Sequence, residues 1–419
     1  MSKFNPYLLL MLLALPTTLL GQSDSGREES DATSREVIEK ARRVGMEVAR
    51  SLQDVTIPVL TEDAQQLAVL SEKQARKMAM QIQEKHLPVI AEQAVLAAEE
   101  FSKIDWQHLS EQMGTLSRFA FQKEKRIEKR YSVDASVALR IDNRYGKVAV
   151  HNWDRKEIKI TIRVRTAEDS ERKAQEALDR VRIEESKAAG RISLRTEINS
   201  VKSNNWWTLF SDGDQNRALS IDYEVYMPRK NELDLVNRYG PIELDDRDGR
   251  VQVSVSYGSL TTGRLNARGN SLSIAYSEGQ VGYLNEGNVS VRYGGFRLGE
   301  AESLELALSY TSDSKIRQVN RKADISLKYS GGFELGLAST IKQANIAANY
   351  SGVKLTPAPS ASFNFNVAVN YGGFDYNDQY AYINSRSGGN TSQNYTGYWN
   401  KASNNSVSIS ASYGKVSIN

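Results

Sequence analysis

The residues able to do chemistry are few and scattered. Three histidines, His86, His108 and His151, stand in unlike contexts, and no two have the i, i+4 spacing of a helical metal site. There is no cysteine, which removes disulfides, thiol nucleophiles and thiolate metal centres, and with them the lipid-anchoring cysteine of a lipoprotein. Asp245-Asp246-Arg247-Asp248-Gly249 has the look of a calcium-loop fragment but lacks the downstream bidentate Glu, so it reads as an Asp-Gly turn. Neither a Gly-x-Ser-x-Gly elbow nor a phosphate loop nor a dinucleotide fingerprint occurs. No catalytic, metal or cofactor residues are therefore assigned. A pair of carboxylates gathered from neighbouring repeats, as in a polysaccharide-active enzyme, is the one enzymatic route left open.

Aromatic residues on polar segments are the better candidates for contact with a ligand. Trp206, Trp207 and Phe210 sit among Asn and Ser before Ser211-Asp-Gly-Asp214, and Tyr395, Tyr398 and Trp399 belong to a 378–404 insertion that also carries Tyr380 and Tyr382. Tyr and Trp add contact area at low entropic cost, which suits sugar or protein ligands. The competing reading makes each group a cover folded over its own core.

The elements that must position these groups are written as a repeat. Asn-Arg-Tyr-Gly occurs at 143–146 and 237–240, and from Tyr239 a Tyr closing an alternating strand returns about every twenty residues, at 257, 276, 293, 310, 329, 350, 371 and 413. Within each unit, as in Val251-Gln-Val253-Ser-Val255-Ser-Tyr257, a period of two puts the aliphatics and the Tyr on one face and small polar residues on the other. A Gly-rich corner follows, where Gly is expected to take positive φ, and then a shorter alternation such as Gly295-Phe296-Arg-Leu298. One unit cannot bury its own apolar face, so neighbours must stack. The expected fold is mainly β, a repetitive parallel β-solenoid-like stack with an α+β insertion at 155–230, preceded by an N-terminal α-helical arm. An antiparallel meander is the alternative.

Outside the repeats, residues 1–21 have a signal peptide's order of Lys3, an apolar stretch from Tyr7 and a small residue at Gly21. Residues 22–32 read as a disordered linker. Residues 33–115 read as a helical region opened by the capping box Thr33-Ser-Arg-Glu36. Residues 116–130 read as a charged linker, and 131–419 as the β-repeat domain. With 54 Lys+Arg against 51 Asp+Glu, the net charge of +3 does not point to nucleic acid. No later stretch is long and apolar enough to span a membrane. The chain is thus expected to be exported to the periplasm or cell surface, with an envelope protein or glycan as partner and self-association through the helical arm or the solenoid end as a further possibility.

The strand pair around Asn143-Arg-Tyr-Gly-Lys-Val-Ala-Val-His-Asn-Trp153, the Tyr226-Met-Pro228 step and Leu235-Val-Asn-Arg-Tyr-Gly-Pro-Ile-Glu-Leu244 opening a run of short repeats together resemble the putative-adhesin domain family. This is a group of exported bacterial β-repeat proteins, common in the Bacteroidota and related to the head GIN domain group. The resemblance covers roughly residues 131–419. It implies a non-enzymatic binding, adhesion-like or structural module at the cell envelope and brings no catalytic residues. A periplasmic scaffold or sensor whose helical arm engages a membrane-associated partner is the next reading, and a polysaccharide-active envelope enzyme the third.

Overall fold

A computed structural model describes residues 121–199 and 218–419. The leader, the 22–32 linker, the 33–115 helical region, residues 116–120 of the charged linker, and Trp206, Trp207 and Phe210 lie outside the described residues.

The first block comprises β1 (Phe121–Ser132), β2 (Ala138–Arg144), β3 (Val148–Asn152), β4 (Glu157–Glu168), α1 (Glu171–Arg180), β5 (Val181–Ala188), β6 (Arg191–Ile198) and β7 (Ala218–Met227). The repeats begin with β8 (Leu233–Arg238), β9 (Ile242–Leu244), β10 (Val251–Ser256), β11 (Ser259–Leu265) and β12 (Asn270–Ala275). Three long strands follow, β13 (Glu278–Arg292), β14 (Phe296–Ser309) and β15 (Lys315–Lys328). Then come β16 (Phe333–Leu337), β17 (Gln343–Asn349), β18 (Val353–Pro357), β19 (Phe363–Asn370) and β20 (Phe374–Tyr376). The last four are β21 (Ala381–Gly388), β22 (Ser392–Trp399), β23 (Ser406–Ser412) and β24 (Val416–Ile418).

Pairing arranges them in two strips. The first runs β6, β2, β8, β10, β12, the second halves of β13, β14 and β15, then β17, β23 and β19, every neighbour parallel. The second runs β7, β3, β9, β11, the first halves of β13, β14 and β15, then β16, β18, β24 and β20, also parallel. Antiparallel strands close the ends: β5 beside β6, β4 and β1 beside β7, and β22 and β21 beside β19. Both strips turn their aliphatic faces into one core. In register, Val253, Leu272, Val289, Leu306, Ile325, Ile346, Ile409 and Val367 form one buried column.

The corners depart from the expectation. It is the tyrosines that take positive φ, all ten of them between 49° and 61°. Their rings therefore swing off the aliphatic face and stack on one another, 4.6–5.2 Å between centroids and within 13° of parallel. Tyr257 and Tyr293 remain 42% and 38% exposed, so the ladder is an outer column and not core. The following Gly is present for closeness: a Cβ on Gly258 or Gly294 would lie 2.1 or 2.0 Å from the carbonyl oxygen of the repeat before it. Where Ser replaces Gly, its hydroxyl does the joining. Ser277 Oγ accepts the Gly258 N–H at 3.1 Å and donates to the Ala275 carbonyl at 2.8 Å. Asn in Asn-Arg-Tyr-Gly points inward: buried Asn237 donates from Nδ2 to the Gly146 and Gly240 carbonyls.

Two further expectations change. Residues 121–130 of the charged linker form most of β1, paired along its length with β4. The alternation suffices for a strand because Ile127 and Tyr131 reach the core side while Lys123 pairs with Glu171 of α1 at 2.6 Å and Lys129 with Glu185 at 2.9 Å. At the other end, the last strands in sequence would extend the stack if the repeats followed one another in order, with the 378–404 insertion as a cover over that end. Instead β23 and β24 slot between the two preceding repeats, giving the ring order Tyr350, Tyr413, Tyr371. The end strand of the first strip is β19, and it is β19 that the β21–β22 hairpin extends. β23 and β24, each with a strand on both sides, leave no unpaired edge of their own.

The insertion order is testable because the chain has no native thiol. Asn345 and Ser408 are register partners, at the separation a disulfide needs. An Asn345→Cys, Ser408→Cys protein should oxidise to an intramolecular bond, and an Asn345→Cys, Asn366→Cys protein should not; the reverse pattern on non-reducing gels would restore the sequential order. In denaturant melts, Tyr293→Ala should cost about 1–3 kcal/mol, two lost ring contacts, and Tyr293→Phe about zero. A cost of core size, about 4 kcal/mol or more, would place the ring inside.

Candidate functional site

The side chains with chemical potential are engaged in holding the repeats together. Asp245 Oδ2 accepts the Asn152 N–H at 3.1 Å, Asp246 Oδ1 the Arg264 N–H at 2.7 Å, and Asp248 Oδ1 the Asn266 amide at 2.7 Å. Arg247 between them is fully buried, donating to Asn152 Oδ1 at 2.7 Å and to the Pro228 and Asn231 carbonyls at 3.0 and 2.8 Å. Burial lowers its guanidinium to about 10. It fastens the first block to the first repeats. Glu278 is raised by burial, against the pull of Arg297, and accepts the Gly295 N–H at 3.1 Å. His151 lies 3.6 Å from Asp245 and beside the Tyr226 ring. His86 and His108 lie outside the described residues. Among the described residues no group of three His, Asp or Glu could hold a metal ion.

What the fold presents outward is more regular. On the first strip the register aligns Ser254, Ser273, Ser290, Ala307, Ser326, Ala347, Ser410 and Ala368 in a single row. Beside it runs a row of Gln252, Ser271, Asn288, Glu305, Asp324, Asn345, Ser408 and Asn366. Small side chains between taller ones leave a shallow hollow of about 530 Å³ over β13, β14, β15, β17 and β23. Asp324 is fixed there by Lys322 and by Asn345, each at 2.7 Å, and the Lys322 bond first, then that of Asn345, hold its carboxyl below the ordinary range.

The structure separates the proposed aromatics. Tyr395 and Trp399 of β22 face inward, 6% and 3% exposed, against the end of the core: Tyr395 meets Phe374 edge-on at 5.1 Å and Trp399 lies between Phe363 and Tyr380. Tyr398, alternating with them, faces outward and stacks on Tyr382 at 5.0 Å. Trp206, Trp207 and Phe210 lie outside the described residues. The Tyr ladder offers a ligand little, because each inner ring has both faces against its neighbours. The in-register outer rows could have been read from the strand alternation; the placement of the last three strands beside them could not.

No protein-family model matches this chain, and no curated protein does. Among solved structures it is similar to a putative adhesin from Bacteroides fragilis, 11% identical with a TM-score of 0.34, covering 70% of this chain and 97% of that one. A putative cell adhesion protein from Clostridium sporogenes is 12% identical with a TM-score of 0.21, covering 71% and 99%. A putative lipid binding protein from Parabacteroides distasonis is 11% identical with a TM-score of 0.33, covering 72% and 97%. Likeness of this degree assigns no function.

The ladder has a pH signature. Burial, reinforced by the neighbouring phenols, pushes Tyr145 and Tyr276 up to about 12. The neutral phenol is thus favoured in the folded state, and an unfolded chain ionises first, near 10. Stability present below about pH 10 should be lost as pH rises through about 12. Absorbance titration of the folded protein should show a tyrosinate step above that of the unfolded chain; coincident titrations would refute the shift.

Proposed function

We propose that this chain is an exported β-solenoid module that binds other components of the bacterial cell envelope through its first-strip outer face, without catalysing a reaction on them. The solenoid reading is supported by parallel pairing between strands about twenty residues apart, repeated from β8 to β15. The leader-like residues 1–21 support export.

The observation that carries the binding role is the outer face itself. Its side chains are aligned to strand register over eight strands, from β10 to β19, and small residues keep the middle row low while Gln, Asn, Ser, Glu and Asp stand beside it. The core sets only the inward positions. An outward row this uniform in size, with a hollow of about 530 Å³ along it, fits an extended partner lying along the strip, met by many weak hydrogen bonds rather than by one deep pocket. The aspartates near the first block, the buried Arg247 and the ladder already have structural duties, whereas the side chains of this outer row are exposed or half-buried.

A long charged side chain in the low row should block it. Ala307→Lys and Ala347→Lys alter exposed positions and should leave the melting curve unchanged, while capture of material from envelope fractions by the purified chain falls at least about tenfold. Capture that survives both substitutions would move the binding surface elsewhere.

A further inference from the structure

The character of the first outer face changes along the strip. Towards the first block it carries Asp142, Arg144, Asp234 and Arg238, and in the middle Glu305, Asp324, Lys322 and Lys328. From β17 onward the outward strand positions carry no charge, and Lys342, Asp378 and Lys401 stand in the connections between strands. The outward positions of β17, β23, β19, β22 and β21 are Gln, Asn, Ser, Ala, Thr and Tyr. Arg386 is directed to the other face, over the Tyr395 ring at 5.2 Å and bonded to Gln393 at 3.0 Å. The neutral zone ends in an aromatic step. Tyr398 and Tyr382 are cross-strand partners with rings 5.0 Å apart and 16° from parallel, and Tyr382 is 48% exposed. Because β21 pairs only with β22 among the described residues, the second face of the Tyr382 ring has no ring against it there. Next to the pair, Ser385 and Thr396 share a hydrogen bond at 2.7 Å.

Resting on the reading that this face binds envelope components, we infer that its β17–β21 end is a site for an uncharged glycan, with the open face of Tyr382 as the stacking surface and Tyr398 as its backing. A pyranose ring offers an axial C–H face with partial positive charge, which the negative face of an aromatic ring attracts. Its hydroxyls both donate and accept, matching the Asn amides and Ser hydroxyls that do the same. A phosphorylated or uronic-acid polymer lying along these strands would find no cation at their outward positions, and a basic peptide no carboxylate. The terminal ladder ring Tyr371 is 53% exposed as well, but it follows a column whose faces are otherwise closed. Tyr382 differs because the hydroxyls of Ser385 and Thr396 stand at the next outward positions of its hairpin.

The test uses the purified chain and a set of purified polysaccharides, neutral ones (a β-glucan, a galactomannan, an α-glucan) and anionic ones (an alginate, a teichoic-acid-type polymer), by affinity electrophoresis and calorimetry. Binding to at least one neutral polymer, insensitive to added salt, is expected. Tyr382→Ala should weaken it about tenfold or more, Tyr382→Phe should not, and both proteins should melt within a degree or two of the parent. Three outcomes overturn the inference: no neutral polymer bound, a neutral polymer bound equally by Tyr382→Ala, or binding confined to anionic polymers or peptides. If Ala347→Lys abolishes capture from envelope fractions while Tyr382→Ala has no effect, the glycan site falls and the binding face stands. If neither substitution matters, the broader reading falls with it.

Discussion

The spacing between parallel strands governs this molecule. Neighbouring strands lie about 4.8 Å apart, so any residue repeated at one register position is laid down again at that interval. For tyrosine this interval coincides with ring stacking, and the observed centroid distances of 4.6–5.2 Å are the strand spacing seen at the corner. For a backbone that bends sharply it is also a limit, since corners of successive repeats must nest without side chains between them. Both facts bear on the same dipeptide.

At each corner Tyr takes a left-handed conformation costing a non-glycine residue about 1–2 kcal/mol, and the residue after it is Gly or a buried Ser or Thr. One might expect the roles reversed. The geometry explains why they are not: Gly is needed where the carbonyl of the neighbouring repeat comes within 2.0–2.1 Å of a hypothetical Cβ, so it cannot be moved to the strained position. Something else must accept the strain, and a Tyr there gains stacking on two sides, about 0.5–1.5 kcal/mol for each contact. The offset is collective. An isolated Tyr corner would carry the strain with no ring to lean on, which ties the stability of each repeat to its neighbours in the manner of a one-dimensional array.

That collectivity is also what made the fold legible. A Tyr every twenty residues, alternation with period two and small residues after the Tyr made the repeat readable, and the expected α+β insertion at 155–230 holds β4, α1, β5, β6 and β7. The rest failed for identifiable reasons. Alternation continued through Tyr257 would bury its ring, but a single positive φ ends the period and turns it out. The Lys123–Arg130 run looked like a linker because composition hides the pairing of Lys123 and Lys129 with acids on α1 and β5. The candidate aromatics split on parity: Tyr395 and Trp399 face in and Tyr398 faces out, which the alternation of β22 implies once β22 is known to be a strand.

The order of the last repeats has no local signature at all. Nothing in Val407-Ser-Ile409-Ser-Ala411-Ser-Tyr413 distinguishes a strand that extends the stack from one inserted within it, since both positions demand the same inward aliphatics. The decision is made elsewhere, by segments outside the repeat. The β21–β22 hairpin occupies the free edge of β19, and Asn400 and Asn405 tie the returning chain to the carbonyls of Ala361 and Ser362 at 2.6 and 2.9 Å. With that edge taken, the remaining parallel partners for β23 are β17 and the inner side of β19. The hairpin itself then becomes the edge, and it is poorly suited to recruiting another strand: its register shifts between Ile383 and Ser385, and β21 ends in Asn384, Ser385, Arg386, Ser387 and Gly388. Closing the stack in this way gives the terminal hairpin two different faces. The inner one is committed to the core by Tyr395 and Trp399, while the outer one inherits the register of the polar rows and adds the only stacked aromatic pair on that face among the described residues. Structural capping and an exposed recognition surface are therefore alternate residues of one strand.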